Sequence, residues 1–191
     1  MKAKRLAIDA MMAAMCAALG YVSLDFGGVF KFSFENLPVI VGALLFGPVD
    51  GMIIGAVGTF LYQVLKWGVD ATTALWVLPY VVSGLLVGLF AKWKKFRMNW
   101  KDVAVIVIID AVLITLMNTG VLVLDSKIKM YPTPAVLATL PGKLLVDVLK
   151  TVAYAAIVPV LIQALRKAHL YEAPGAETAD EIAAEPTEEK W

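Results

Sequence analysis

Apolar residues fill six stretches of this chain, separated by short polar or glycine-proline breaks, and most of them run to helix rather than strand length. They cover about Leu6–Leu24, Phe34–Phe46, Val49–Leu65, Thr73–Ala91, Val103–Leu124 and Ala135–Leu165. The break "GP" at Gly47–Pro48 divides the second from the third. The second stretch is the short one. Its core, "LPVIVGALLF", rises only about 15 Å as a helix, half of a typical ~30 Å hydrocarbon core. It spans only if the helix extends back through Phe32–Asn36, tilts, or is shielded by neighbours. Just before it, "SLDFGGVFKFSFEN" puts Phe30, Phe32 and Phe34 on one side and Lys31, Ser33 and Glu35 between them. That period of two predicts a short hairpin or strand lying over the outer face.

Composition turns these stretches into membrane helices. Of 191 residues 60% are hydrophobic and 17% charged, and the mean hydropathy is +0.78. A soluble domain carries a smaller apolar share. The net charge of +1 hides an asymmetry and says nothing about nucleic acid. With six spans, one side collects Lys2, Lys4, Arg5, Lys92, Lys94, Lys95, Arg97, Lys101, Arg166 and Lys167, ten basic residues against four on the other. The four are Lys31, Lys66, Lys127 and Lys129. The positive-inside rule therefore predicts six spans and cytoplasmic termini. The expected fold is an all-α integral membrane protein: a six-transmembrane-helix bundle over residues 1–170, with a short structured outer loop between helices 1 and 2. Residues 171–191 are acidic, small and proline-containing, and predict a disordered cytoplasmic tail. Asp9 interrupts the first apolar run, which argues against a cleaved signal peptide. Cys16 is alone, so no disulfide framework or cysteine metal site is expected.

Charges inside a hydrophobic helix need a reason. In "LPGKLLVDVLK", residues 140–150, the spacing puts Lys143, Asp147 and Lys150 on one helical face. From an outer start, Asp147 and Lys150 lie about 6 and 10 Å deeper than Lys143. A charge near mid-bilayer costs at least ~2.5–3.5 kcal/mol, so such residues face a cavity or a partner. A self-neutralising ladder that pins packing is one reading. The other, preferred here, leaves one positive charge for an anionic ligand entering from outside. Three further segments carry polar and aromatic groups in their outer halves: Gln63 and Trp67 in the third, Trp76 and Tyr80 in the fourth, and Asn118 in the fifth. With Phe32, Lys31 and Glu35 of the outer loop as a lid, they converge on one end as a small-molecule pocket would. Asp110 lies nearer the cytoplasmic side and reads as pairing with a neighbouring helix. The first segment differs, because its alanines form overlapping small-xxx-small patterns suited to close helix contact. No Walker loop, HExxH or Ser/His/Asp set occurs, and the single His169 lies in the cytoplasmic flank. No catalytic residue, metal site or cofactor is expected.

The segment "FKFSFENLPVIVGALLFGPVDGMIIGAVGTFLYQVL", residues 30–65, resembles the S components of energy-coupling factor (ECF) vitamin transporters. The pattern "FSFENLP…FGP…G…G…G" is most similar to their folate-type branch, and "LPGKLL" with the alanine-rich first helix extends the likeness over residues 5–165. The resemblance implies a substrate-capture subunit, not an enzyme, in the plasma membrane of a prokaryote. Such a subunit binds a vitamin with high affinity and docks on a transmembrane coupling subunit driven by two ATPases. Position by position, Ala10, Ala14 and Ala18 match the docking motif, the loop Asp25–Glu35 matches the gate, and Lys143 follows the sixth-helix proline. Folate-type relatives commonly show "GD" where this chain has Gly58–Thr59, so pantothenate, a queuosine precursor, thiamine or riboflavin stand as alternatives to folate. A stand-alone secondary transporter is the reading from another class. Its expected internal inverted repeat is not found between the halves.

Overall fold

The computed structural model describes residues 2–26, 30–130 and 140–167. In chain order these form α1 (Lys2–Tyr21), β1 (Leu24–Phe26), β2 (Phe30–Phe32), α2 (Asn36–Phe46), α3 (Pro48–Trp67), α4 (Thr73–Trp93), α5 (Trp100–Ile128) and α6 (Leu140–Lys167). Among the described residues six helices carry the fold, matching the six apolar stretches in number. Four are long and apolar enough to cross a membrane: α3, α4, α5 and the Pro141–Leu165 stretch of α6. The tail expected over 171–191 and the start expected for the sixth segment at Ala135 lie outside the described residues.

The short second stretch resolves into the third of its alternatives. It gains nothing at its N-terminus, for α2 begins only at Asn36 and runs 11 residues. Instead it is sheathed. Asn36 through Leu45 are all buried, and α1, α3, α4 and α6 pack around it. Ile40, Leu44, Val87, Val107 and Val158 are fully buried here and form the centre of the core. A helix too short to meet water at both ends is tolerated because protein, not lipid, surrounds its backbone.

Turn chemistry sets the corner that follows. Gly47 has φ 103°, a conformation glycine adopts without steric cost. Its N–H bonds the Ala43 carbonyl at 3.0 Å, and Pro48 opens α3 directly after it. The α3–α4 contact is as close as backbones permit. A Cβ on Gly84 would sit 2.3 Å from the Gly51 carbonyl carbon, and one on Gly88 2.3 Å from the Pro48 Cα. Small residues in these positions give the two helices packing contact where lipid offers no hydrophobic drive.

The expected outer hairpin is present. β1 and β2 pair antiparallel with Leu24 opposite Phe32, Asp25 opposite Lys31 and Phe26 opposite Phe30. This corrects the first segment, expected to run helical to Leu24: α1 stops at Tyr21 because Leu24 is taken into the ladder. β2 packs against α6.

Candidate functional site

Above the N-terminal end of α2, the last turns of α3 and α5 and the first turns of α4 and α6 diverge around a cavity of about 570 Å³. That volume suits one small organic molecule. Aromatic rings from three helices wall it: Tyr62 and Trp67 of α3, Trp76 and Tyr80 of α4, and Tyr154 of α6. Hydrogen bonds set several of them. The Trp67 indole donates to the Tyr62 hydroxyl at 3.2 Å, and the Tyr154 hydroxyl donates to the Ser33 carbonyl at 3.3 Å. The Tyr80 hydroxyl donates to the buried Glu35 carboxylate.

Beneath lies a polar layer closed by α2. Asn36 donates through Nδ2 to Asp110 Oδ2 at 2.7 Å and accepts from the Ser83 hydroxyl at 3.3 Å. Asp110 is completely buried. The sequence reading of Asp110 as a partner to a neighbouring helix matches this bond to α2.

The charged face of α6 turns into the cavity, where Lys143, Asp147 and Lys150 all line the wall. Lys150 forms an ion pair with Asp147 Oδ1, and the Thr115 hydroxyl donates to Asp147 Oδ2 at 2.6 Å. The ladder therefore closes on two of the three groups. Lys143, one turn earlier and half-buried, has no ion-pair partner among the described residues. Asn118 Oδ1 is likewise a buried acceptor with no hydrogen-bond partner among them.

A second charged set stands at the rim. Lys129, just past α5, reaches Asp70 at 2.6 Å and Asp125 at 3.1 Å. This ties the α3–α4 loop to the end of α5. The hydrogen bond from Lys129 holds the Asp70 carboxyl below its ordinary pKa, aided by the Ala71 N–H. The same bond to Asp70 raises the Lys129 ammonium above its usual value.

Of the residues singled out from sequence, Glu35, Gln63, Trp67, Trp76, Tyr80, Asn118, Lys143, Asp147 and Lys150 line one cavity. Phe32 does not. Its ring stands edge-on to Phe34, centroids 5.2 Å apart, and Phe34 in turn leans on Tyr154 at 5.7 Å. Paired opposite Leu24 at the base of the hairpin, it supports the wall from behind. The Lys31 backbone pairs with Asp25; its side chain lies outside the described residues. The sequence reading passed over Thr151 and Tyr154, which continue the face of Lys143 and Asp147 at helical spacing. It also passed over Asp125, Lys129 and Asp70, of which only the i, i+4 pair Asp125–Lys129 has a local signal.

Ala10, Ala14 and Ala18 lie on the outer surface of α1, beside exposed Met11 and Met15, while Ala13 and Ala17 turn inward. Gly58 receives that inner face, where an added Cβ would meet Cys16 Cβ at 2.6 Å.

Residues 4–171 match the family model of the ECF transporter, substrate-specific component. The chain belongs to this family. The substrate-specific component shares its fold with a solved structure described as the S component of a bacterial ECF transporter, at a TM-score of 0.61 and 19% identity. The match covers 87% of this chain and 98% of that one. No curated protein sequence matches the chain. Membership makes it a substrate-binding transport subunit of the membrane rather than an enzyme.

Proposed function

We propose that this S component captures a vitamin with a flat ring and an acidic end, folate or a close relative, from outside the cell. The supporting observation is the cavity itself: aromatic walls from three helices, with one ammonium, Lys143, outside any ion pair among the described residues. Rings stack between tryptophan and tyrosine faces. A carboxylate at Lys143 gains a charge-assisted hydrogen bond. Asn118 Oδ1 offers an acceptor to a ring N–H. The cavity end faces outward, both termini face the cytoplasm, and the Ala10–Ala14–Ala18 face docks on a transmembrane coupling subunit carrying two ATPases. The setting is a prokaryotic plasma membrane.

A second reading follows from the charge balance. Lys150 is paired with Asp147, and Lys129 with Asp70 and Asp125, so among the described lining cations Lys143 stands outside an ion pair, while the Glu35 carboxylate is bonded by Tyr80. A vitamin with a single carboxylate, such as pantothenate, uses Lys143 fully. The deciding experiment is mass spectrometry of the small molecule that co-purifies with the detergent-solubilised chain. A pterin carrying a dicarboxylate tail supports the first reading, and a monocarboxylate the second. A neutral or cationic ligand overturns both.

A further inference from the structure

At the end of the bundle opposite the cavity, the turn joining α4 to α5 has its own construction. Lys95 and Phe96 both adopt left-handed backbone, φ 51° and 57°, a conformation that is strained for residues with side chains. The turn is closed by Phe96 N–H to the Ala91 carbonyl at 2.8 Å and Arg97 N–H to the Lys94 carbonyl at 3.0 Å. Phe96 is thereby tucked against the core, next to Gly47, where an added Cβ would lie 3.5 Å from its ring. With Phe96 as the anchor, Lys95 and Arg97 are turned outward on either side.

Among the described residues, Asp102 and Asp50 at this end are already engaged. Asp102 completes the Asn99 capping box and pairs with Lys94 at 3.0 Å. Asp50 is held by Arg5, whose Nε lies 2.9 Å from it. That leaves Lys92, Lys95, Arg97 and Lys101 exposed, with no ion pair among the described residues. Two tryptophans flank them, Trp93 with 75% and Trp100 with 65% of its surface exposed. The Lys101 ammonium lies 5.9 Å from the Trp100 ring centre, and that of Lys94 5.3 Å from the Trp93 ring. Tryptophan at the end of a spanning helix sits at headgroup depth. Cations held at that depth meet anionic headgroups and attract them.

We propose that the α4–α5 turn is a binding surface for anionic phospholipid headgroups, with Trp93 and Trp100 as interfacial anchors and Lys92, Lys95, Arg97 and Lys101 as phosphate ligands. The surface is independent of what fills the cavity. It holds the α4–α5 end at the membrane plane.

The test uses the full chain in zwitterionic micelles, titrated with brominated phosphatidylglycerol or brominated phosphatidylcholine and followed by tryptophan quenching. Wild type is quenched by phosphatidylglycerol at a roughly tenfold lower concentration than by phosphatidylcholine, a preference lost in high salt. Trp93→Phe/Trp100→Phe removes the preferential quenching. The Gln variants of Lys92, Lys95, Arg97 and Lys101, single and combined, shrink the preference stepwise. Lys→Arg at the three lysines preserves it, and this arm keeps the result readable if the quadruple Gln variant misfolds. Equal quenching of wild type by both lipids overturns the proposal and reassigns the patch to an acidic protein surface. A preference that survives the Gln variants overturns it as well.

Discussion

In the proposed function, Lys143 is the residue on which ligand chemistry turns. Its neighbours are spoken for: Asp147 is bonded by Lys150 and Thr115, and Glu35 by Tyr80. Truncating an ammonium that meets a ligand carboxylate removes a hydrogen bond to a charged group, about 1.5–3 kcal/mol. Lys143→Ala is therefore expected to weaken an anionic vitamin roughly ten- to a hundredfold, while a ring analogue without the acid binds as before. Isothermal titration with both compounds checks this, and an equal loss for the two assigns Lys143 to packing alone. The Asp70–Lys129 contact makes a pH prediction. The Asp70 carboxyl is lowered and the Lys129 ammonium raised by their mutual bond. A lowered carboxylate contributes stability above its unfolded pKa and loses it as pH falls through the folded one. The latch is thus unchanged between pH 8 and 6 and opens only below the ordinary carboxylate range. Hydrogen exchange at the amides of residues 69–72 should be flat over that interval once corrected for intrinsic rates, and several-fold faster in Asp70→Asn at neutral pH.

Among the elements, α1 carries two distinct faces. Ala13, Cys16 and Ala17 pack inward against α3, while Ala10, Ala14 and Ala18 line the outside with Met11 and Met15. A small-residue groove lets a partner helix approach closely, and a branched side chain there blocks that approach without touching the interior. Ala14→Leu is expected to leave vitamin affinity and melting temperature within error and to abolish ATP-dependent uptake in vesicles holding the coupling subunits. Retained uptake would remove α1 from the docking surface. The two faces also mark how far sequence carries. Helical period alone places Lys143, Asp147 and Lys150 together, because a single helix fixes their spacing. That α3, α4 and α5 bring Gln63, Trp67, Tyr80 and Asn118 to the same cavity depends on tertiary register, to which sequence contributes only depth along each segment. Phe32 shows the failure: its period was right, but the packing of Phe34 between it and Tyr154 was invisible. The sheathing of α2 was one of three open choices, since nothing local says which neighbours surround an apolar run.

At the scale of the whole molecule, the cavity occupies one end and the core fills the other. Under the Asn36–Asp110–Ser83 layer, Ile40, Leu44, Val87, Val107 and Val158 have no solvent exposure. A water-filled path through this body would expose all five. At about 2 kcal/mol per buried aliphatic side chain, that opening costs on the order of 10 kcal/mol. Thermal fluctuation makes it rare, and the Asn36–Asp110 bond closes the floor of the cavity above it. The chain alone should then bind but not carry. Reconstituted without partners, it is expected to bind one vitamin per chain from the cavity side with no dependence on ATP, and to accumulate none inside the vesicle. Adding the coupling subunit and ATPases should convert that binding into uptake that stops when ATP is exhausted. Radiolabelled vitamin separates the two states, since bound label exchanges with excess cold ligand and internalised label does not. Saturable accumulation by the chain alone in ATP-depleted vesicles would mean that the core opens after all, and would make this a self-sufficient carrier.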